Sequence, residues 1–167
     1  AEEFARRLKV MTAEIDKRFA VFLGAGCSVS SGIPAAGGLV KGHWLPRLRD
    51  VCAPQRKDLD VWARKMFPDY DAQKPSASYG AVMERLFLSA EERQREIEDL
   101  CEGKFPGFGY AVLSSLVSSE GGHLNVVLTT NFDDLMADAL YLFSPLRPLV
   151  IHHESLAGYI RPTRTRP

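Results

Sequence analysis

The sequence predicts an α/β fold: a three-layer Rossmann-like domain with a mostly parallel sheet and a helical insertion in its middle. Three observations point to it. The apolar run Phe19-Ala20-Val21-Phe22-Leu23 stops at a glycine-rich turn, and a second run, residues 124–130, delivers a polar turn to a helical pattern. A third strand candidate, Leu149-Val150-Ile151-His152, follows that helix. Repeated strand, turn and helix is the order in which parallel strands are linked by helical crossovers.

Taken in order, Phe4, Leu8, Met11 and Ile15 recur at helical spacing and predict an N-terminal helix with one buried stripe. Residues 18–23 are short, apolar and without polar alternation, as expected of a central strand buried on both faces. Glycines, serines and Pro34 fill residues 24–38, where backbone geometry is specified more than bulk. The insertion, about 43–120, is helical. Leu45, Leu48 and Val51 mark a helix after Gly42, and Leu59 to Phe67 mark another that Pro68 ends. Ser76 is the expected cap of a helix carrying Tyr79 to Phe87, and Ser89 with Glu92 forms a capping-box pattern for a charged helix reaching about Cys101. Phe108, Val112, Leu113 and Leu116 mark the last helix before Gly121-Gly122. Three apolar residues in a row and two β-branched threonines then predict the strand at 124–130, and acids at 133 and 134 are expected in the first turn of the next helix.

At 167 residues with 46% hydrophobic and 25% charged types, the chain can bury the core of one domain, 1–167. Basic and acidic residues tie at 21 each, so phosphate-driven nucleic-acid binding is not expected. From Ser144 to the end four basic residues stand against one acidic residue, so any phosphate-facing surface is expected near the termini, and the last stretch, Arg161 to Pro167, has no apolar helix and reads as the cut edge of a longer protein. Cys27, Cys52 and Cys101 form no CxxC pair and only four histidines accompany them, so no metal site is expected. No stretch reads as a secretory signal or a membrane span, and a cytoplasmic location is expected.

Two segments carry chemistry. Gly24-Ala25-Gly26-Cys27-Ser28-Val29-Ser30-Ser31-Gly32 follows a predicted strand, the context a phosphate-binding glycine turn requires. Gly24 suits the tight turn, Gly26 the approach of a phosphate to the backbone, and Ser28 and Ser31 can add hydroxyl donors. No Gly-Lys-Ser/Thr follows, which excludes a P-loop, and Val29 stands where a dehydrogenase fingerprint has its third glycine. The second segment, Thr129-Thr130-Asn131-Phe132-Asp133-Asp134-Leu135, also follows a predicted strand, at the sheet edge where ligands bind. Asn131 offers a donor and an acceptor suited to a ribose hydroxyl, and Asp133 can stabilise positive charge, cap a helix, or do both.

Together the two segments, which begin 105 positions apart, resemble the SIR2-like family, the sirtuins and their bacterial relatives. Residues 24–34 are similar to that family's GAGxSxxSGIP segment and residues 129–133 to its TxNxD segment. The resemblance implies a domain that binds NAD and cleaves its nicotinamide-ribose bond. It implies cofactor contacts from Gly24, Ala25, Gly26, Ser28, Ser31, Gly32, Ile33 and Pro34, with Thr130, Asn131 and Asp133 at the reacting end and Asn131 as the principal catalytic group.

Departures from the family narrow the expectation. Ala35-Ala36-Gly37-Gly38 stands where deacetylating sirtuins continue with Asp-Phe-Arg, and three scattered cysteines cannot build their four-cysteine zinc module. What remains resembles the SIR2-like effectors of bacterial antiphage defence, which hydrolyse NAD to ADP-ribose and nicotinamide; that activity is expected of a longer parent protein of which these residues are the N-terminal portion, with much lower or no turnover from the 167 residues alone. Such proteins carry a sensor or partner module and can form homo-oligomers. The family's base is a histidine before a glycine; here His152 and His153 precede Glu154, and His152 is the candidate, the alternative being a base beyond Pro167. Two other readings stay open: a domain that holds NAD or ADP-ribose without turnover, and a nucleic-acid-directed effector module.

Overall fold

Two short strands run side by side in the same direction: β1 (Phe19–Leu23) and β2 (Leu124–Thr129), paired in parallel with Phe22 opposite Leu128 and Leu23 opposite Thr129. The structure, a computed structural model, describes residues 2–13, 19–119 and 124–160. Ile15, Arg18, Gly121, Gly122 and the basic end at 161–167 lie outside the described residues. The architecture is α/β and mainly helical, with a two-stranded parallel sheet as the sheet of the described residues. The chain divides into two compact units, Ala1–Ser30 with Phe105–Pro167, and Ser31–Lys104.

In the first unit, β1 and β2 form because β-branched and aromatic side chains fit the pleated surface, and both end where the backbone must turn at Gly24 and at Thr130-Asn131. The ladder continues one step past β2, where the Thr130 amide donates to the Leu23 carbonyl at 3.3 Å. Burial on both faces, expected from the unbroken apolar runs, is not found. The cross-strand pair Phe22 and Leu128 is 68% and 47% exposed, while Leu23 is buried. Apolar composition alone does not distinguish a two-faced central strand from a strand with one open face. Helix α1 (Glu2–Thr12) forms as expected, with Arg7 and Glu3 paired one turn apart, but its stripe is not buried: Phe4 and Met11 are exposed.

Helix α7 (Phe108–Val117) packs on α8 (Leu135–Phe143) through small and buried faces, with the Ser114 hydroxyl donating to the Ala139 carbonyl at 3.2 Å. The acids at 133 and 134 precede α8 rather than occupying its first turn, and the Asp133 carboxylate accepts the otherwise unpaired Leu135 amide at 3.2 Å. The third expected strand is absent. Residues 149–152 form no ladder and lead into a 3-10 turn, Glu154–Tyr159. Three β-branched or apolar residues in a row, next to Pro145 and Pro148, did not suffice to recruit a pairing partner.

The second unit has its own apolar core, built around Trp44, Leu45, Leu48, Trp62 and Val82. Helix α2 (Ala36–Gly38), a π-helical segment (Leu39–Trp44) and α3 (Leu45–Cys52) follow one another without a break, so the chain is already helical before Gly42. The π segment carries Leu39, Val40 and Trp44 inward, and burial of those side chains outweighs the weak helix preference of three glycines. Trp44 meets Phe87 edge-on with ring centroids 6.0 Å apart, and its indole nitrogen donates to Glu96 at 2.9 Å. Helix α4 (Leu59–Met66) is capped by Asp58. A 3-10 turn, Pro75–Ser78, leads into α5 (Tyr79–Leu86), and Ser76 does not act as its cap. The capping box of α6 (Ala90–Cys101) is complete: Ser89 accepts from Glu92 N at 3.0 Å and Glu92 accepts from Ser89 N at 3.3 Å. Such a cap contributes about 1 kcal/mol to the helix it starts.

Candidate functional site

Parallel pairing of β1 and β2 brings the segments after them to the same end of the sheet, and both signature segments converge there. After β1 the chain turns at Gly24 into a 3-10 segment, Ala25–Ser31, whose first hydrogen bond runs from Cys27 N to the Gly24 carbonyl at 2.9 Å. This turn carries Ser28 inward, where it is 1% exposed. After β2 the Asn131 amide donates to the Thr129 hydroxyl at 2.9 Å, a local turn that aims the Asn131 side chain back toward β1.

Ser28 Oγ is the centre of the resulting network. It donates to Asp133 Oδ2 at 2.6 Å, accepts from Asn131 Nδ2 at 3.0 Å, and lies 3.0 Å from the Tyr110 phenol oxygen. A hydroxyl has one proton and two lone pairs, so three partners saturate it. Ser28 therefore holds its neighbours in place, with its one proton directed to Asp133. The Asp133 carboxylate is also engaged on both oxygens, by Ser28 and by the Leu135 amide. It is a fixed negative charge, not a free carboxylate.

Asn131 is bound in a way that leaves one group open. Its Nδ2 donates to Ser28 Oγ and to the Gly24 carbonyl at 3.3 Å, which uses both amide protons. Its Oδ1 is buried and has no partner. A buried carbonyl oxygen without a donor costs about 1 to 3 kcal/mol, and this one is placed to accept from a hydroxyl or N–H. The expectation that Asn131 would both donate and accept is narrowed: toward a ligand it accepts.

The glycines fit the same picture. Neither Gly24 nor Gly26 has a positive φ, and a Cβ added to either would meet nothing within 4 Å. Gly24 starts the tight turn, its carbonyl accepting the Cys27 amide, without a left-handed backbone; its missing side chain leaves open space. Ala25 is exposed beside them.

The remaining expected residues have other surroundings. Thr130 is exposed and serves the ladder through its amide. Ser31, Gly32, Ile33 and Pro34 belong to the second unit. Gly32 there has φ +84°, a backbone only glycine adopts readily, with the Lys104 amine 3.6 Å from where its Cβ would be, and Ile33 is buried. His152 stands on the surface with Nε2 3.9 Å from Asp134 Oδ1, beyond hydrogen-bond range. No hydrogen bond among the described residues joins it to the Ser28 network. His153 accepts the Ser155 amide at Nδ1, 3.1 Å away, a local turn contact.

Tyr110 is the member the sequence reading missed. Burial pushes its phenol above the ordinary value, so it is a neutral donor at physiological pH. The available signal was modest: a tyrosine on the inward side of an apolar helix needs a partner for its hydroxyl. No group of three or more His, Cys, Asp or Glu that could hold a metal occurs among the described residues, and none of their helices is long and apolar enough to cross a membrane.

Comparison with protein-family models and with curated protein sequences finds no match to this chain.

Proposed function

We propose that the Ser28–Asn131–Asp133 network is an NAD site and that the protein hydrolyses the nicotinamide-ribose bond, NAD⁺ and water giving ADP-ribose, nicotinamide and a proton. The observation that carries the reading is the unpartnered Asn131 Oδ1, a buried acceptor held by two hydrogen bonds to the other signature segment. It is the complement of a ribose hydroxyl. Open space at Gly24 and Gly26 suits a diphosphate close to the backbone, and the resemblance to SIR2-like proteins supplies the pairing of the two. The finer fold, a three-layer Rossmann-like domain, belongs to this reading and is supported by two adjacent parallel strands that each deliver a signature segment.

The chemistry asks little of acid-base groups. Nicotinamide leaves as a neutral molecule, so the main task is to stabilise positive charge on the ribose. A carbonyl dipole already oriented, with the fixed charge of Asp133 behind it, favours that charge without reorganising. Water then adds to the ribose carbon and loses its proton. His152 is the candidate acceptor from the sequence, standing outside the network. That position favours a second reading, in which the site holds NAD or ADP-ribose without turnover. The role as an antiphage effector, with a sensor module and possible self-association, is part of the proposal and rests on the resemblance.

Chromatography of the longer parent protein with excess NAD separates these readings. Equal amounts of ADP-ribose and nicotinamide are expected; NAD bound but unchanged would favour the holding domain, and neither binding nor products would remove NAD from the account. Steeply salt-dependent retention on DNA would instead favour the nucleic-acid reading.

A further inference from the structure

From Gly24 to Val40, the stretch that holds the first signature segment, the sequence has no lysine or arginine. The next cation, Lys41, is engaged by Asp60 at 3.2 Å. An anion on that segment therefore takes its counter-charge from another part of the chain, and the second unit brings one ammonium there. After α6 the chain turns tightly from Cys101 to Lys104, the Lys104 amide donating to the Cys101 carbonyl at 3.1 Å. Glu102 at φ −57°, ψ 130° and Gly103 at φ +66° match the central pair of a type II turn, whose second position calls for glycine.

That turn lays the Lys104 side chain across Gly32, the other positive-φ residue among those described. Its Nζ comes 3.6 Å from where a Gly32 Cβ would stand, nearer than Cδ at 3.8 Å and Cε at 4.0 Å. A snorkelling lysine packs its stem and sends its head into water; here the head itself lies against the backbone. Of the half-buried basic side chains in this unit, Arg49 pairs with Asp50 and Arg93 donates to the Phe87 carbonyl. The Lys104 ammonium has no hydrogen-bond or ion-pair partner among the described residues. We propose that Lys104 is the anion-binding residue of the first signature segment, its ammonium holding a phosphate oxygen of a diphosphate at the Gly32 turn. A charge-assisted hydrogen bond of this kind is stronger than one between neutral groups. That the diphosphate belongs to NAD rests on the reading of the site given above; attraction of Lys104 for a diphosphate does not.

The test titrates the 167-residue chain with inorganic pyrophosphate in a calorimeter. Lys104→Met keeps a stem against Gly32 and removes the charge, while Lys104→Arg keeps the charge. The methionine variant is expected to bind pyrophosphate at least about 10-fold more weakly than wild type, the scale of one lost hydrogen bond to a charged group. The arginine variant should stay within about 3-fold of wild type, having kept such a bond. A wild type that binds no pyrophosphate, or a folded methionine variant that binds it within about 2-fold of wild type, far short of that scale, would overturn the proposal. Should Lys104→Met fail to fold, Lys104→Gln is read against the same limits.

Titrations with NAD and with nicotinamide riboside, which carries no phosphate, separate charge recognition from a merely structural part. Lys104→Met should weaken NAD by the same factor and leave the riboside unchanged. Equal weakening of both would overturn the proposal, because Lys104 would then shape the site instead of holding a phosphate. A wild-type chain that binds pyrophosphate through Lys104 but no NAD would sink the functional reading and leave Lys104 as an anion-binding residue.

Discussion

The Asn131 carboxamide reaches back across 107 positions of sequence to the Gly24 carbonyl, 3.3 Å away, and so clamps the turn after β2 to the turn after β1. The same carbonyl accepts the Cys27 amide at 2.9 Å. One backbone oxygen thus starts the 3-10 segment that buries Ser28 and fixes the side chain that Ser28 holds. Register between the strands sets this distance, so the site depends on the parallel pairing of two five- and six-residue strands.

The three signature glycines should separate into two kinds. Gly24→Ala and Gly26→Ala meet open space at negative φ, so stability should stay level or rise by up to about 1 kcal/mol, because alanine restricts the unfolded chain. NAD affinity should fall about 10-fold or more, equivalent to about 1.4 kcal/mol. Gly32→Ala at φ +84° should lose about 1 to 2 kcal/mol of stability. Urea denaturation beside NAD titration checks both; destabilisation by Gly26→Ala with unchanged affinity would make that glycine a folding residue.

Ser28→Ala removes the centre of the network and leaves Asp133, Asn131 and Tyr110 each short of a partner. A loss of about 1 to 3 kcal/mol is expected in urea denaturation. A variant as stable as wild type would show that water replaces the hydroxyl without cost.

The second unit has a pH signature of its own. Burial, and then the hydrogen bond to Asp60, push the Tyr70 phenol from 10.0 to about 12. The folded chain therefore holds this proton more tightly than the unfolded chain. The resulting stability is fully present below about pH 10 and is lost as pH rises through about 12, a change of about 3 kcal/mol. Stability curves over that range should fall for wild type and be flatter for Tyr70→Phe; parallel curves would assign the alkaline loss elsewhere.

His152 makes a contact too long to orient it, on the surface beside Asp134. His152→Ala is expected to leave nicotinamide release within about 3-fold of wild type, whereas a general base contributes about 100- to 10,000-fold. A fall on the larger scale would return His152 to the site through a rearrangement of residues 149–153.

Much of the frame was legible because its signals are local. The two strands end where apolar runs meet Gly24 and Thr130-Asn131, and the Ser89–Glu92 capping box needs only a four-residue spacing. The open sheet face at Phe22 and Leu128 was not legible, since an unbroken apolar run reads the same with one covered face or two. At Leu149–His152 apolar character suggested a strand, but pairing is decided by a partner, which composition does not reveal. At the site, residue types were readable and proton direction was not. That Ser28 is saturated follows only from three distances around one hydroxyl, one of them to Tyr110 on a helix that carries neither segment, and that Asn131 accepts follows from its second amide bond, to the Gly24 carbonyl.

The account turns on Asn131, and single-turnover release of nicotinamide tests it most directly. Wild type, Asn131→Ala and the exposed-site control Lys65→Ala would be compared at saturating NAD, with melting temperatures alongside. Loss of the Asn131 carbonyl should slow release about 100-fold or more, the scale of one preorganised group facing developing charge, with a smaller change in NAD affinity and no change in the control. A folded Asn131→Ala protein that releases nicotinamide within about 3-fold of wild type, far short of that scale, would contradict the account and leave the segment after β2 as a structural turn.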